Sequence, residues 1–283
     1  KDKRSFLIFP GDQGEAVNGD LVRCEPRQSR GHGPKRGKII EVLGNADNPR
    51  AASLIAMAAH DIPDTFEPEV IAAAEAAEPV ECPREDLTSI PLITIDPADA
   101  RDHDDAVFAE QLDDGWRVIV AIADVAAFVT PDSPLDREAL KRGNSTYFPD
   151  RVVPMLPFEL SADECSLREG ELRRCMAVEM IFDKSGSKRS HRFIRGMMKS
   201  AAKLSYEEAQ AAIDGKPGGK AGDMLETVLK PLWGAYAALS KARDDRSPLD
   251  LDLPERRIVF SEDGEIEGII TKERLDAHRL IEE

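Results

Sequence analysis

No C-x-x-C pair, no uninterrupted apolar run of membrane-spanning length and no internal repeat occurs in this 283-residue sequence, and each absence excludes a class. The only cysteines, Cys24, Cys82, Cys165 and Cys175, are scattered, and the closer pair Cys165 and Cys175 has no His pattern beside it. That spacing argues against a zinc site and fits reduced thiols, so a cytoplasmic protein is expected. A transmembrane helix needs about 18 or more apolar residues in a row, so none is expected. Lys1–Pro10 lacks the charged, apolar, small order of a secretory signal, and with no initiating Met the start reads as internal to a longer chain.

Positive charge is scarce too: the formal net charge is −16. Phosphate binding needs Lys and Arg, so charge alone argues against a nucleic-acid partner. Basic residues nevertheless cluster at Arg27, Arg30, Lys35, Arg36 and Lys38, and again at Lys184, Lys188, Arg189, Arg192, Arg195 and Lys199. Two readings stand at this point: an acidic body carrying a local basic track, or two solvated faces.

What is present is enough to fold. A hydrophobic fraction of 41% supports a real core, and the length allows one large domain or two ordinary ones. Up to about residue 80 the pattern stands apart. A turn at Asn18-Gly19-Asp20 leads into a strand, and Arg36–Leu43 reads as a second strand ended by Gly44. Short strands joined by a basic, Gly- and Pro-rich linker suit part of an oligonucleotide-binding barrel. Pro68–Ala77 reads as a connecting helix.

Beyond Cys82-Pro83 a second unit is expected. Leu92–Ile95, Val107–Ala109 and Trp116–Ala123 read as strands, the last two joined by the turn Asp113-Asp114-Gly115. Leu135–Arg142 reads as a helix, and Cys175–Phe182 with His191–Arg195 as a hairpin. Ser205 opens a helix, with Glu208 completing a capping box. Gly215–Gly222 reads as a flexible loop and Met224–Arg243 as one long helix. A hairpin around Asp263-Gly264 and a helix over Glu273–Glu283 close the pattern.

The chemistry concentrates in Thr94–Val107, TIDPADARDHDDAV, where five aspartates fall within ten residues just after an apolar strand. Crowded carboxylates repel, so such a cluster is costly unless it is solvated or neutralised by cations. An acidic surface loop is the plain reading, but apolar strands flank the run on both sides, which points to a pocket at a strand end. Carboxylate oxygens suit a hard cation such as magnesium. An EF-hand loop fails on spacing, because no frame supplies the Gly and the later Glu. Two-metal phosphodiester hydrolysis suits several aspartates better.

The wider pattern resembles the ribonuclease II and ribonuclease R family, whose catalytic domain is called RNB. Ile95-Asp96 followed by Asp102-His103-Asp104-Asp105 matches its I-D then D-x-D-D motif. Four more blocks match in order: Ile122–Val129, Arg142–Leu156, Leu160–Leu167 and Ala277–Glu283. The mix looks closer to ribonuclease R than to ribonuclease II, and residues 1–80 resemble the end of the family's cold-shock region. The resemblance implies an α+β fold: an incomplete RNB catalytic domain, a mixed sheet with helices, at residues 81–283. A partial β-barrel of the OB/cold-shock kind and a connector would precede it at residues 1–80.

The resemblance also implies an activity, that of a monomeric 3′-to-5′ exoribonuclease acting on single-stranded RNA. It implies Asp96, Asp102, Asp104 and Asp105 as the catalytic acids and Mg2+ ligands. Tyr147 resembles the aromatic that stacks on the 3′-terminal base, and stacking tolerates any base. Tyr206 resembles a second RNA-contacting tyrosine. One of Glu282 and Glu283 resembles a carboxylate that reads a ribose hydroxyl, a contact that tells RNA from DNA. Phe128 is the only ring in the Ile122–Val129 block, where the family often has His or an aromatic and this chain has Ala126-Ala127. Leu249–Pro254 likewise lacks an aromatic that the family commonly has. The family's transition-state arginine and its S1 domain would lie beyond Glu283, so this chain alone is expected to be weakly active or inactive. An RNA-binding regulator on a dead RNB fold is the alternative; it predicts loss of metal aspartates, and all four are present.

Overall fold

Continuous apolar runs in Val107–Ala109 and Val118–Ala123 build the centre of the fold. The computed structural model describes residues 5–27, 35–45, 51–249, 254–261 and 266–283. The chain forms two units whose segments interleave along the sequence: residues 1–66, 145–153 and 256–271 in the first, and residues 67–144, 154–255 and 272–283 in the second.

In the first unit, the strands Phe6–Ile8, Lys35–Asn45 and Asp20–Arg27 lie side by side in that order. The outer pair is parallel on one side and antiparallel on the other. Among the described residues the sheet does not close on itself. The strand expected to stop at Gly44 runs on through it to Asn45, because the ladder shifts register between Leu21 and Val22 and accommodates the extra residue. The helix Ala51–Ala59 was not foreseen, since its sequence AASLIAMAA is almost wholly apolar and shows no 3.6-residue stripe. Two short hairpins complete the unit, Thr146–Tyr147 with Val152–Val153 and Arg256–Phe260 with Ile266–Thr271. The expected turn at Asp263-Gly264, Arg30 and Asp250–Leu253 lie outside the described residues.

The second unit is a mixed seven-stranded sheet flanked by helices, so the fold class is α+β. The strand order is Ala202–Ser205, Ile93–Asp96, Asp105–Leu112, Gly115–Ala123, Leu172–Asp183, Lys188–Lys199, Glu85–Asp86. Only the two edge strands pair in parallel. At Asp113-Asp114 the chain reverses in two residues. Gly115 then approaches the backbone of Phe182 so closely that an added Cβ would lie 1.9 Å from the carbonyl oxygen. Ile93, Ile95, Ala106, Ala109, Ile119 and Ala121 are almost completely buried, which is where the core sits. The helix Lys230–Asp244 crosses the sheet at Gly234, where any side chain would strike the Trp116 ring at 2.3 Å.

Three expectations for this unit need correction. Gly215–Gly222 is not wholly loop: Gly219–Asp223 is a short helix anchored by buried Ala221. The single helix expected over Met224–Arg243 is two pieces. Leu225–Leu229 forms a wide turn, with the Leu229 N–H donating to the Met224 carbonyl five residues back at 3.0 Å, before Lys230–Asp244 continues as α-helix. Pro231 has no N–H to give to the last turn of Leu225–Leu229, which favours such a break. The final helix begins at Asp276 rather than Glu273. No helix among the described residues is long and apolar enough to cross a membrane.

Candidate active site

The strands Ile93–Asp96 and Asp105–Leu112 are neighbours, and their antiparallel register through Ile93 and Val107 sets Asp96 and Asp105 at the same end of the sheet. Asp102 and Asp104 sit in the connection between them. That connection is pinned at four places. The His103 N–H donates to the Ser166 hydroxyl at 3.0 Å, and the Leu167 N–H donates to the His103 carbonyl at 2.8 Å. The Ala123 N–H donates to the Asp104 carbonyl at 2.8 Å, and the Lys203 ammonium to the Ala100 carbonyl at 3.0 Å. Ser166 and Leu167 belong to the Leu160–Leu167 block, so one matched block physically holds another.

His103 is 4% exposed, and its Nδ1 lies 2.8 Å from Asp96 Oδ2. Asp104 and Asp105 are both disfavoured as anions. Burial, then the charges of Asp102 and Asp96, push the Asp104 carboxyl above its ordinary range against a smaller opposing pull from His103. Burial followed by Asp96 and Asp104 pushes Asp105 up to about 6. Four hard oxygen donors, two of them destabilised as anions by burial and by one another, suit a divalent cation such as magnesium. Among the described residues no three His, Cys, Asp or Glu side chains stand close enough together to hold a metal ion.

Tyr206 follows Ser205, which pairs in register with Asp96. The Ser205 hydroxyl accepts the Glu208 N–H at 3.1 Å and the Glu208 carboxylate accepts the Ser205 N–H at 2.8 Å, so the expected capping box is formed. Burial, and then the charges of Asp96, Asp105 and Glu282, push the Tyr206 phenol up to about 12, which keeps it a proton donor. Its ring stacks on His278 with centroids 4.1 Å apart and planes 18° apart. Glu282 accepts from Arg274. Glu283 accepts from Arg243 at 2.6 Å and lines, with Asp105, Val107, Tyr236, Arg246 and Leu280, a cavity of about 810 Å³.

Tyr147 belongs to the first unit, on the strand Thr146–Tyr147, and is 66% exposed. Phe128 is buried, with the Arg174 guanidinium 5.9 Å from its ring centre, a setting that suits packing and leaves no open face for a base. Three of the six basic side chains in the second cluster stand beside carboxylates. Arg189 pairs with Asp183, Arg192 with Glu85 and Glu179, and Arg195 lies 3.6 Å from Asp124. His103, Ser166 and His278 were not singled out from the sequence. The signal for all three was their place inside matched blocks.

Comparison with known proteins shows the family. The RNB domain matches residues 84–283 and a cold-shock domain matches residues 1–67. Ribonuclease R of Vibrio parahaemolyticus is 40% identical over 270 residues, covering 93% of this chain and 32% of that protein. Ribonuclease R of Escherichia coli K12 is 40% identical over 296 residues, covering 98% of this chain and 35% of that protein. The solved structure of Mycoplasma genitalium RNase R in complex with double-stranded RNA superposes with a TM-score of 0.91 at 25% identity, covering 99% of this chain and 51% of that one. The chain thus spans about a third of the length of the curated relatives it matches. With a sheet that gathers the D-x-D-D motif at one end and a family match over 84–283, the chain belongs to the RNB-domain ribonuclease family.

Proposed function

We propose that this chain carries the carboxylate half of a magnesium-dependent 3′-to-5′ exoribonuclease site that hydrolyses single-stranded RNA to nucleoside 5′-monophosphates. The observation that carries the reading is the placement of Asp96 and Asp105 at one strand end, with the Asp102–Asp104 connection pinned by Ser166, Leu167 and Ala123. To hold two magnesium ions, the side chains of Asp96, Asp102, Asp104 and Asp105 would have to draw closer together than they stand here, where no three such groups among the described residues converge on one point. When bound, the metal lowers the pKa of a water and offsets charge on the leaving oxygen. His103 holds Asp96 in place through its ring nitrogen. Tyr206, protonated and beside the carboxylates, donates a hydrogen bond to the RNA backbone. Exposed Tyr147 offers a ring for base stacking, a contact worth about 1–3 kcal/mol per base and indifferent to sequence. Glu282 or Glu283 reads a ribose hydroxyl.

In this reading residues 1–80 serve as a cold-shock RNA-binding region and connector, residues 81–283 supply the first part of the RNB domain, and the protein acts as a monomer in the cytoplasm. Because the chain spans about a third of its ribonuclease R relatives, the 283-residue chain alone is weakly active or inactive, and the complete enzyme carries the activity. Incubating purified chain with 5′-labelled single-stranded RNA and magnesium tests this. Little nucleotide release from the chain and stepwise shortening by the complete enzyme are expected. Robust release by the chain alone would overturn the partial-site reading, and no release by either would overturn the enzyme reading.

A further inference from the structure

The contact between Tyr206 and His278 joins two elements 72 residues apart in sequence (206 to 278). His278 lies on the helix Asp276–Glu282, which docks on the helix Tyr206–Ile213 partly through the Ala277 N–H donating to Gln210 Oε1 at 3.0 Å. Ala277 is fully buried at that junction. The Leu275 N–H donates to His278 Nδ1 at 3.1 Å. An N–H donor at Nδ1 makes that nitrogen the acceptor, so the neutral ring carries its proton on Nε2. Nε2 is buried and has no hydrogen-bond partner among the described residues. Burial also pushes the His278 pKa down, which keeps the ring neutral. A neutral, flat ring fixed at one nitrogen is suited to packing face to face on a phenol rather than to exchanging protons.

We infer that His278 is a positioning residue for Tyr206: its ring occupies one face of the phenol and fixes the direction in which Tyr206 presents its hydroxyl to RNA beside Asp96 and Asp105. The Tyr206 backbone is already fixed by the capping box and by pairing of Ser205 with Asp96, so χ rotation of the ring is the freedom left for His278 to remove. This inference rests on the proposed role of Tyr206 as an RNA contact.

The test is the affinity for a 5′-labelled single-stranded oligoribonucleotide in metal-free buffer, measured on wild type, Tyr206→Ala, His278→Ala, His278→Phe and the Tyr206→Ala/His278→Ala double variant. Loss of a stacked aromatic partner predicts about a 2- to 10-fold weakening for His278→Ala. Recovery by His278→Phe, which keeps a flat ring without nitrogens, is expected, as is a double variant no weaker than Tyr206→Ala alone. Thermal melts verify folding, and His278→Gln, which also removes the ring, carries the same arm if His278→Ala does not fold. Equal affinity of His278→Ala and wild type, failure of His278→Phe to recover, or additive losses in the double variant would each overturn the inference. A wild-type protein with no measurable RNA affinity is a different result, and it would overturn the functional reading beneath it.

Discussion

His103 Nδ1 stands 2.8 Å from Asp96 Oδ2, inside the D-x-D-D motif yet directed at the aspartate that precedes it by seven residues. The variable position of the motif therefore holds its first acid. Both ends of this pair are fixed: His103 by the Ser166 hydroxyl and Leu167 N–H, Asp96 by the strand that pairs with Ala202–Ser205.

Replacing His103 with Ala frees the Asp96 carboxylate without removing a proposed ligand. Groups that orient metal-binding side chains typically contribute about 10- to 100-fold to metal affinity or activity. Magnesium titration of RNA hydrolysis by the complete enzyme is expected to shift to higher concentration by that order. An unchanged titration curve would show that the contact is incidental.

A second prediction concerns stability. Arg84 and Asp124 form an ion pair at 2.7 Å with side chains 6% and 2% exposed. Removing Arg84 leaves buried Asp124 with only the half-exposed Arg195 at 3.6 Å among the described residues, which places the cost toward the low end of the roughly 3–5 kcal/mol lost when a buried pair is broken. Urea unfolding of Arg84→Met should show a loss of that size. Arg84→Met/Asp124→Leu should recover much of it, because the weakly paired buried charge is gone and the half-exposed Arg195 stays solvated.

The turn after Leu172–Asp183 makes a pH prediction. Asp183 accepts from the Ser185 hydroxyl at 2.6 Å and from the Ser187 and Ser185 N–H groups at 3.0 Å and 2.8 Å, and Arg189 lies beside it. The Ser185 hydroxyl first, then the Ser187 N–H, hold its carboxyl down at about 2. A depressed folded pKa stabilises the fold above the ordinary carboxylate range, and that contribution fades as pH falls toward 2. Asp183→Asn should therefore melt below wild type at pH 7, with the gap closing between roughly pH 4 and pH 2. A gap that stays constant over that range would contradict the assignment.

The aspartates were legible because their signal is local: five acids in one short run between apolar strands need no knowledge of tertiary contacts. The strands around them were legible for the same reason, since a short apolar run such as Val118–Ala123, opened by the turn at Asp113-Asp114-Gly115, reads as a buried strand. What the residues did not disclose is set by register and docking. Ser166 reaches His103 across 63 positions, and His278 reaches Tyr206 across 72 (278 less 206), so neither contact leaves a periodic trace. Phe128 carried an expectation of RNA contact as the only ring in its block, but the ring points into the core. Ala51–Ala59 was missed because a helix apolar on nearly every side has no stripe to read.

If the four aspartates perform metal-assisted hydrolysis, Asp104→Asn in the complete enzyme removes the chemistry and spares the binding. Asn keeps the shape of the side chain and removes the charge. The account predicts that magnesium-dependent release of nucleotides from single-stranded RNA falls by about 100-fold or more while RNA affinity is retained. Release at the wild-type rate would contradict it and would favour an RNA-binding module in which the carboxylates play no chemical part.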